Sequence, residues 1–93
     1  MIKLAHFKFR LYVAGDGPNS TKAVANLRAI CNDYLAERHE IEVVDVLRDP
    51  QRALADLVIL TPLLVKLSPG PIRKITGCLS QREPVLQALG LPS

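Results

Sequence analysis

The order of periods in the first half of the chain limits its fold more than any other feature. From Phe7 to Val13 apolar and polar residues alternate, placing Phe7, Phe9, Leu11 and Val13 on one face and Lys8, Arg10 and Tyr12 on the other, as a β-strand requires. The next segment, Ala14 to Ser20, concentrates Gly15, Asp16, Gly17, Pro18 and Asn19, which open a turn. The apolar period then lengthens: Val24, Leu27, Cys31 and Tyr34, widened by Ala23, Ile30 and Leu35, form a helical stripe. A helix is expected from about residue 20, capped by Asn19 or Ser20. Ile41 to Leu47 is nearly continuous and rich in β-branched residues. It reads as a strand covered on both faces and paired in parallel with the first through the helix. A βαβ unit follows.

The second half is punctuated by prolines. Asp49-Pro50 places a capping residue before proline, the pattern that opens a short helix through Arg52 to Ala55. Leu57 to Leu67 reads equally as strand or helix, because a short apolar run does not reveal its period. Pro62 carries no backbone donor and disfavours helical geometry at Thr61, so the element breaks or begins there. Ser68-Pro69-Gly70-Pro71 marks a turn after which Ile72 to Thr76 returns as a hairpin arm ended by Gly77. Ser80 and Glu83 have capping-box spacing, and Val85, Leu86 and Leu89 give the following helix an apolar face that Gly90 stops. The order βαβ, short helix, hairpin, helix is an α/β arrangement of thioredoxin-like type, a mixed sheet with flanking helices, in one domain spanning 1–93.

Thiol chemistry is absent from the position where such a fold places it. The turn after the first strand holds no cysteine, and Cys31 and Cys78 have neither CxxC nor metal-ligand spacing, so both read as buried packing residues in a reducing compartment. His6 and His39 lack companions at ligand spacing, and Glu40, Glu42 and Asp45 read as solvated strand charges. No phosphate-binding glycine loop and no nucleophile elbow occurs. The sequence therefore reads as non-enzymatic, with no cofactor, metal or catalytic residue. With 12 Lys and Arg against 9 Asp and Glu the net charge is +3, which permits nucleic acid without demanding it. Leu11 to Asp16 is a weak match to the shorter ribonucleoprotein motif, in which Tyr12 would stack a base, so an RNA-binding domain is the alternative function. Its longer companion motif is missing. Lys66, Arg73, Lys74 and Arg82 suggest a basic edge for an acidic protein partner. No apolar run approaches membrane-spanning length, and Met1 to Leu4 is too short for a signal peptide, so a cytoplasmic location is expected.

Leu11-Tyr12-Val13-Ala14-Gly15, Pro18-Asn19-Ser20, Val44-Asp45-Val46-Leu47, Asp49-Pro50-Gln51, Thr61-Pro62, Pro69, Pro71-Ile72-Arg73-Lys74-Ile75, Gly77, Leu79-Ser80 and Arg82-Glu83 occur in an order that resembles the KaiB family of bacterial clock proteins. The resemblance runs from about Phe9 to Leu89. It implies a regulator that binds the N-terminal ATPase ring of KaiC, a RecA-like hexamer, and shares a fold lineage with thioredoxin and with the sensor domain of a clock-output histidine kinase. It also implies exchange between a self-associated ground state of order βαββααβ, a dimer or tetramer, and a thioredoxin-like monomer that binds the ring. Two packings of one sequence, close in free energy, fit the ambiguity of Leu57 to Leu67. In the thioredoxin-like packing the Thr61–Pro62 bond is expected to be cis.

Partner contacts are accordingly expected at Glu42, Asp49, Gln51, Leu57, Lys66, Arg73, Lys74 and Arg82, and positions governing the rearrangement at Gly15, Pro62, Pro69, Pro71, Gly77, Cys78, Ser80 and Glu83. The chain departs from the family pattern at Cys78, where an acidic residue is usual, and at Glu42 and Leu57, where clock members tend to carry lysine. It also ends without the acidic tail of several relatives. A role in stress adaptation or as a simple timer stands beside a circadian one.

Overall fold

The computed structural model describes residues 5–91, so the reading of Met1 to Leu4 and of the chain's end lies outside the described residues. The elements are β1 (Phe7–Val13), α1 (Pro18–Tyr34), β2 (His39–Asp45), α2 (Pro50–Ala55), β3 (Leu63–Ser68), β4 (Arg73–Thr76) and α3 (Arg82–Leu89). Four strands form one mixed sheet in the order β2-β1-β3-β4. β1 pairs with β2 in parallel, Leu11 opposite Val43 and Tyr12 opposite Val44, while β3 is antiparallel to both β1 and β4. This is the thioredoxin-like order; the ground-state order βαββααβ is not the one observed.

The period-2 pattern of β1 decides where the core lies. Phe7, Phe9, Leu11 and Val13 are buried against Ala23, Leu27, Ile30 and Cys31 of α1, Leu64 of β3, and Val85, Leu86 and Leu89 of α3. Burying a side chain of this size contributes about 1.5–3 kcal/mol, so this layer supplies most of the stability. A smaller cluster of Tyr12, Val44, Leu63 and Val65, with Val46, Val58 and Leu67 at its border, lies on the opposite face.

Four expectations change. Helix α1 begins at Pro18, with Gly17 as its cap and no side-chain capping bond, instead of at residue 20. Proline's fixed φ already suits a first helical position, and the extended Gly17 (φ −63°, ψ 167°) satisfies the restriction on residues before proline. Strand β2 is an edge strand rather than one covered on both faces: only Val44 is buried, and Val43 and Leu47 are exposed. The capping box at Ser80 and Glu83 does not form. Gln81 caps α3, which puts Pro84 at the third helical position, where its missing donor is not needed, and leaves Val85 to donate the first helical bond to the Gln81 carbonyl at 3.4 Å. Cys78 is only half-buried, whereas Cys31 is buried as expected.

The ambiguous run resolves into irregular chain followed by a strand. Leu57 takes a positive φ of 54° just past α2, and β3 starts at Leu63, directly after Pro62. The Thr61–Pro62 bond is cis, as are Ser68–Pro69 and Gly70–Pro71 in the turn that joins β3 to β4. Gly77 ends β4 with φ 103°, a conformation open to glycine and costly for other residues. Gly90 closes α3 in the left-handed conformation with its amide bonded to the Gln87 carbonyl.

Candidate functional site

The face of the sheet turned away from α1 and α3 carries a connected set of charges. Register sets it: Arg10 lies opposite Glu42 on one side and Val65 on the other, and Val65 lies opposite Lys74. Arg10 Nε donates to Glu42 Oε1 at 2.8 Å, and its Nη1 donates to Asp56 Oδ2 at 3.2 Å. Arg52 of α2 grips both oxygens of the same Glu42, at 2.8 and 3.0 Å, in the paired geometry that suits guanidinium and carboxylate. Asp56, just past α2, also accepts from the Tyr12 hydroxyl, and its carbonyl accepts from Lys74 Nζ at 3.3 Å. The Arg52 and Arg10 hydrogen bonds hold the Glu42 carboxyl down at about 2. Asp56 is held low by Tyr12 and Arg10, whereas Tyr12 is raised, first by burial and then by Asp56.

At the end of β2 the Asp45 carboxylate accepts from the amides of Leu47 (2.9 Å) and Gly15 (3.1 Å), joining the β1–α1 turn to the β2–α2 turn; these bonds lower its pKa. Gly15 stands here at φ 68°, and an added Cβ would meet Leu47 Cδ1 at 3.4 Å.

Above the charges the surface is apolar. Leu54 is 75% exposed, Leu57 78% and Ile59 90%, and Leu60, Ile72 and Leu47 are also largely exposed. Leu57 and Ile72 face a groove of about 260 Å³ whose floor includes Val65, Leu67 and Lys74. Isolated apolar side chains on a surface need no explanation, but here Leu54, Leu57, Ile59 and Leu60 gather on a single segment.

The structure divides the residues expected to meet a partner. Glu42 and Lys74 face the α2 side of the sheet, with Asp49, Gln51 and Leu57 along the same α2 segment. Lys66 and Arg73 face the other side, and Arg82 begins α3, so the four basic residues of the last third form no single edge. Lys66 is 5% exposed, with Nζ 5.8 Å from the centre of the Phe7 ring. Arg82 pairs with Asp33 of α1 at 2.8 Å and stands over the Tyr34 ring. Of the positions expected to govern rearrangement, Gly15, Pro62, Pro69, Pro71 and Gly77 occupy turns or strand boundaries. Cys78 and Ser80 line a cleft of about 370 Å³ beside Pro84 and Val85. The Ser80 hydrogen bond lowers the Cys78 thiol, while burial pushes Cys31 up to about 11. Asn26 of α1 donates to the Cys78 carbonyl at 2.7 Å.

Arg10, Arg52, Asp56, Asp45 and Asn26 were not among the expected site residues. Arg10 and Glu42 become legible as a pair once parallel pairing fixes the register of Phe7 against His39. Nothing local marks Asp56 or Asn26, whose side chains find partners 44 to 52 residues away. The RNA-binding alternative fails on geometry, because Tyr12 is fully buried and its hydroxyl is committed to Asp56, leaving no ring face for a base. Among the described residues no three of His, Cys, Asp and Glu gather as a metal site, and no helix is long and apolar enough to cross a membrane.

Comparison with known proteins agrees with this architecture. The KaiB domain model matches residues 10–91. The circadian clock oscillator protein KaiB of Rippkaea orientalis is 45% identical over 85 residues, covering 91% of this chain and 82% of that protein. The circadian clock protein KaiB3 of Synechocystis is 39% identical over 82 residues, covering 88% and 80%. Among solved structures, the N-terminal domain of Synechococcus elongatus SasA superposes with a TM-score of 0.75 at 23% identity, covering 97% of this chain and 89% of that one. Mitochondrial thioredoxin 3 of Saccharomyces cerevisiae superposes with a TM-score of 0.69 at 19% identity, covering 96% and 79%. These likenesses at low identity establish the thioredoxin-like fold, and the matches in sequence establish the lineage: the chain belongs to the KaiB family.

Proposed function

We propose that this chain is a non-enzymatic regulatory protein of a clock, timer or stress-adaptation system, which acts by docking on the N-terminal ATPase ring of a KaiC-like partner. The observation that carries the reading is the apolar run Leu54, Leu57, Ile59 and Leu60 on α2 and the loop after it, left in solvent by a fold whose own core is complete without it. Relatives named as circadian clock proteins supply the direction of the reading. Glu42, Asp49, Gln51, Leu57 and Lys74 border the contact on this side; Lys66, Arg73 and Arg82 lie beyond it and meet a partner only if it wraps round the sheet edge. The chain works in the cytoplasm as one domain over 1–93. It exchanges between the packing described here and a self-associated dimer or tetramer, with Gly15, Pro62, Pro69, Pro71, Gly77, Cys78, Ser80 and Glu83 at or near the boundaries that move.

Native mass spectrometry of the purified chain with a KaiC-type ATPase and ATP tests the proposal. A complex that is lost in Leu57→Glu supports it. Absence of any complex across ATP, ADP and nucleotide-free conditions overturns it.

A further inference from the structure

Helix α2 lies on the sheet with little apolar footing of its own. Helix α1 buries Ala23, Leu27, Ile30 and Cys31, and α3 buries Val85, Leu86 and Leu89, but none of the six residues of α2 is buried and its one large apolar side chain, Leu54, points to solvent. Six residues are also too few to hold helical structure alone, since an isolated helix in water needs about 12–15. Something else seats the segment. Beyond the helix Val58 packs at the border of the Tyr12, Val44, Leu63 and Val65 cluster, and the other contacts that reach from the segment to the sheet are ionic or polar: Arg52 to Glu42, Asp56 to Arg10 and Tyr12, and Lys74 to the Asp56 carbonyl.

We infer that the linked pairs Arg10–Glu42–Arg52 and Arg10–Asp56 are an ionic latch that seats α2 on the sheet, so that Glu42, Arg52 and Asp56 position the apolar surface instead of forming it. An exposed ion pair taken singly contributes little, but a network that shares partners through paired guanidinium geometry is the favourable case. Arg10 joins the two halves by giving Nε to Glu42 and Nη1 to Asp56. The latch makes α2 the segment most sensitive to ionic strength, because screening weakens partly exposed pairs far more than it weakens the buried α1 layer. The consequence for partner binding rests on the function proposed above, whereas the seating of α2 does not.

Amide hydrogen exchange on the full chain, without a partner, separates the two. The amides of Asp56, Leu57 and Val58, bonded to the carbonyls of Arg52, Leu54 and Ala53, report on α2; those of Leu27, Ile30 and Cys31 report on α1. In Glu42→Gln at 20 mM salt, α2 protection is expected to fall roughly 5-fold, while α1 protection falls by no more than that and stays well above the α2 level. Arg52→Lys, which keeps the charge, should retain part of what Arg52→Met loses. Raising NaCl to 1 M should lower α2 protection in the unaltered protein and hardly at all in Glu42→Gln. The inference is overturned if α2 protection is insensitive to both the substitution and salt, or if the α2 and α1 amides share one protection level under all conditions, which would make α2 part of the global unfolding unit. The salt titration of the unaltered chain decides it even where a variant folds poorly.

Discussion

Replacing Glu42 by Gln removes one titratable charge while preserving shape, so the pH dependence of its effect isolates that carboxylate. Its pKa stands at about 2 in the folded protein against 4.5 for an unperturbed glutamate. At 1.36 kcal/mol per pH unit such a separation corresponds to about 3 kcal/mol for a dry group. The side chain is 47% exposed, and solvent screening reduces the contribution to ~1 kcal/mol. Because the folded-state value is the depressed one, this stability is fully present above pH 4.5 and is lost as pH falls toward 2. Urea unfolding of both proteins from pH 7 to pH 2.5 measures it. At neutral pH the variant should unfold at a midpoint lower by roughly 0.5 M, with a Tm about 4–8 °C lower. The gap should narrow steadily below pH 4.5 as the natural carboxylate takes up its proton against Arg10 and Arg52, while Asp56, Tyr12 and Lys74 are common to both proteins. A gap that is absent at pH 7, or that stays constant down to pH 2.5, refutes the placement of Glu42 between two guanidiniums.

Three other outcomes follow from the packing. Leu27→Ala, at a fully buried position in the main layer, should cost about 2–5 kcal/mol, measurable by thermal unfolding. Tyr12→Phe removes a hydroxyl bonded to an ionised carboxylate and should cost ~1.5–3 kcal/mol; gel-shift assays with single-stranded RNA should detect no binding before or after the change. Cys78 should react with iodoacetamide at pH 8 far faster than Cys31, whose buried thiol titrates near 11, so peptide mapping should find Cys31 modified only after unfolding.

How far the sequence could be read depended on how local each cause is. The faces of β1 were legible because alternation is written in consecutive residues, and the same held for the α1 stripe and the stop at Gly90. The start of α1 was misplaced by two residues because Asn19 and Ser20 are good caps in isolation, yet Pro18 fits a first helical position better. The capping box at Ser80 failed for a related reason, since it would have put Pro84 where a backbone donor is needed. Strand β2 reads as doubly covered in the sequence because hydrophobicity does not record whether a strand lies at an edge. The candidate site was legible only in part: Glu42 and Leu57 were singled out, but Arg10, Arg52 and Asp56, which determine how Glu42 behaves, were not.

The sequence by itself determined the element order, the buried face of β1, the lack of a thiol in the β1–α1 turn and the family, because each is carried by residue type and spacing along the chain. Tertiary structure alone decided that Arg10 stands between Glu42 and Asp56, that Tyr12 is buried under α2, and that the four basic residues of the last third separate onto different faces. Strand register and sheet order set those outcomes. They are chosen by the packing of the whole layer, in which a shift of one residue turns every side chain to the opposite face.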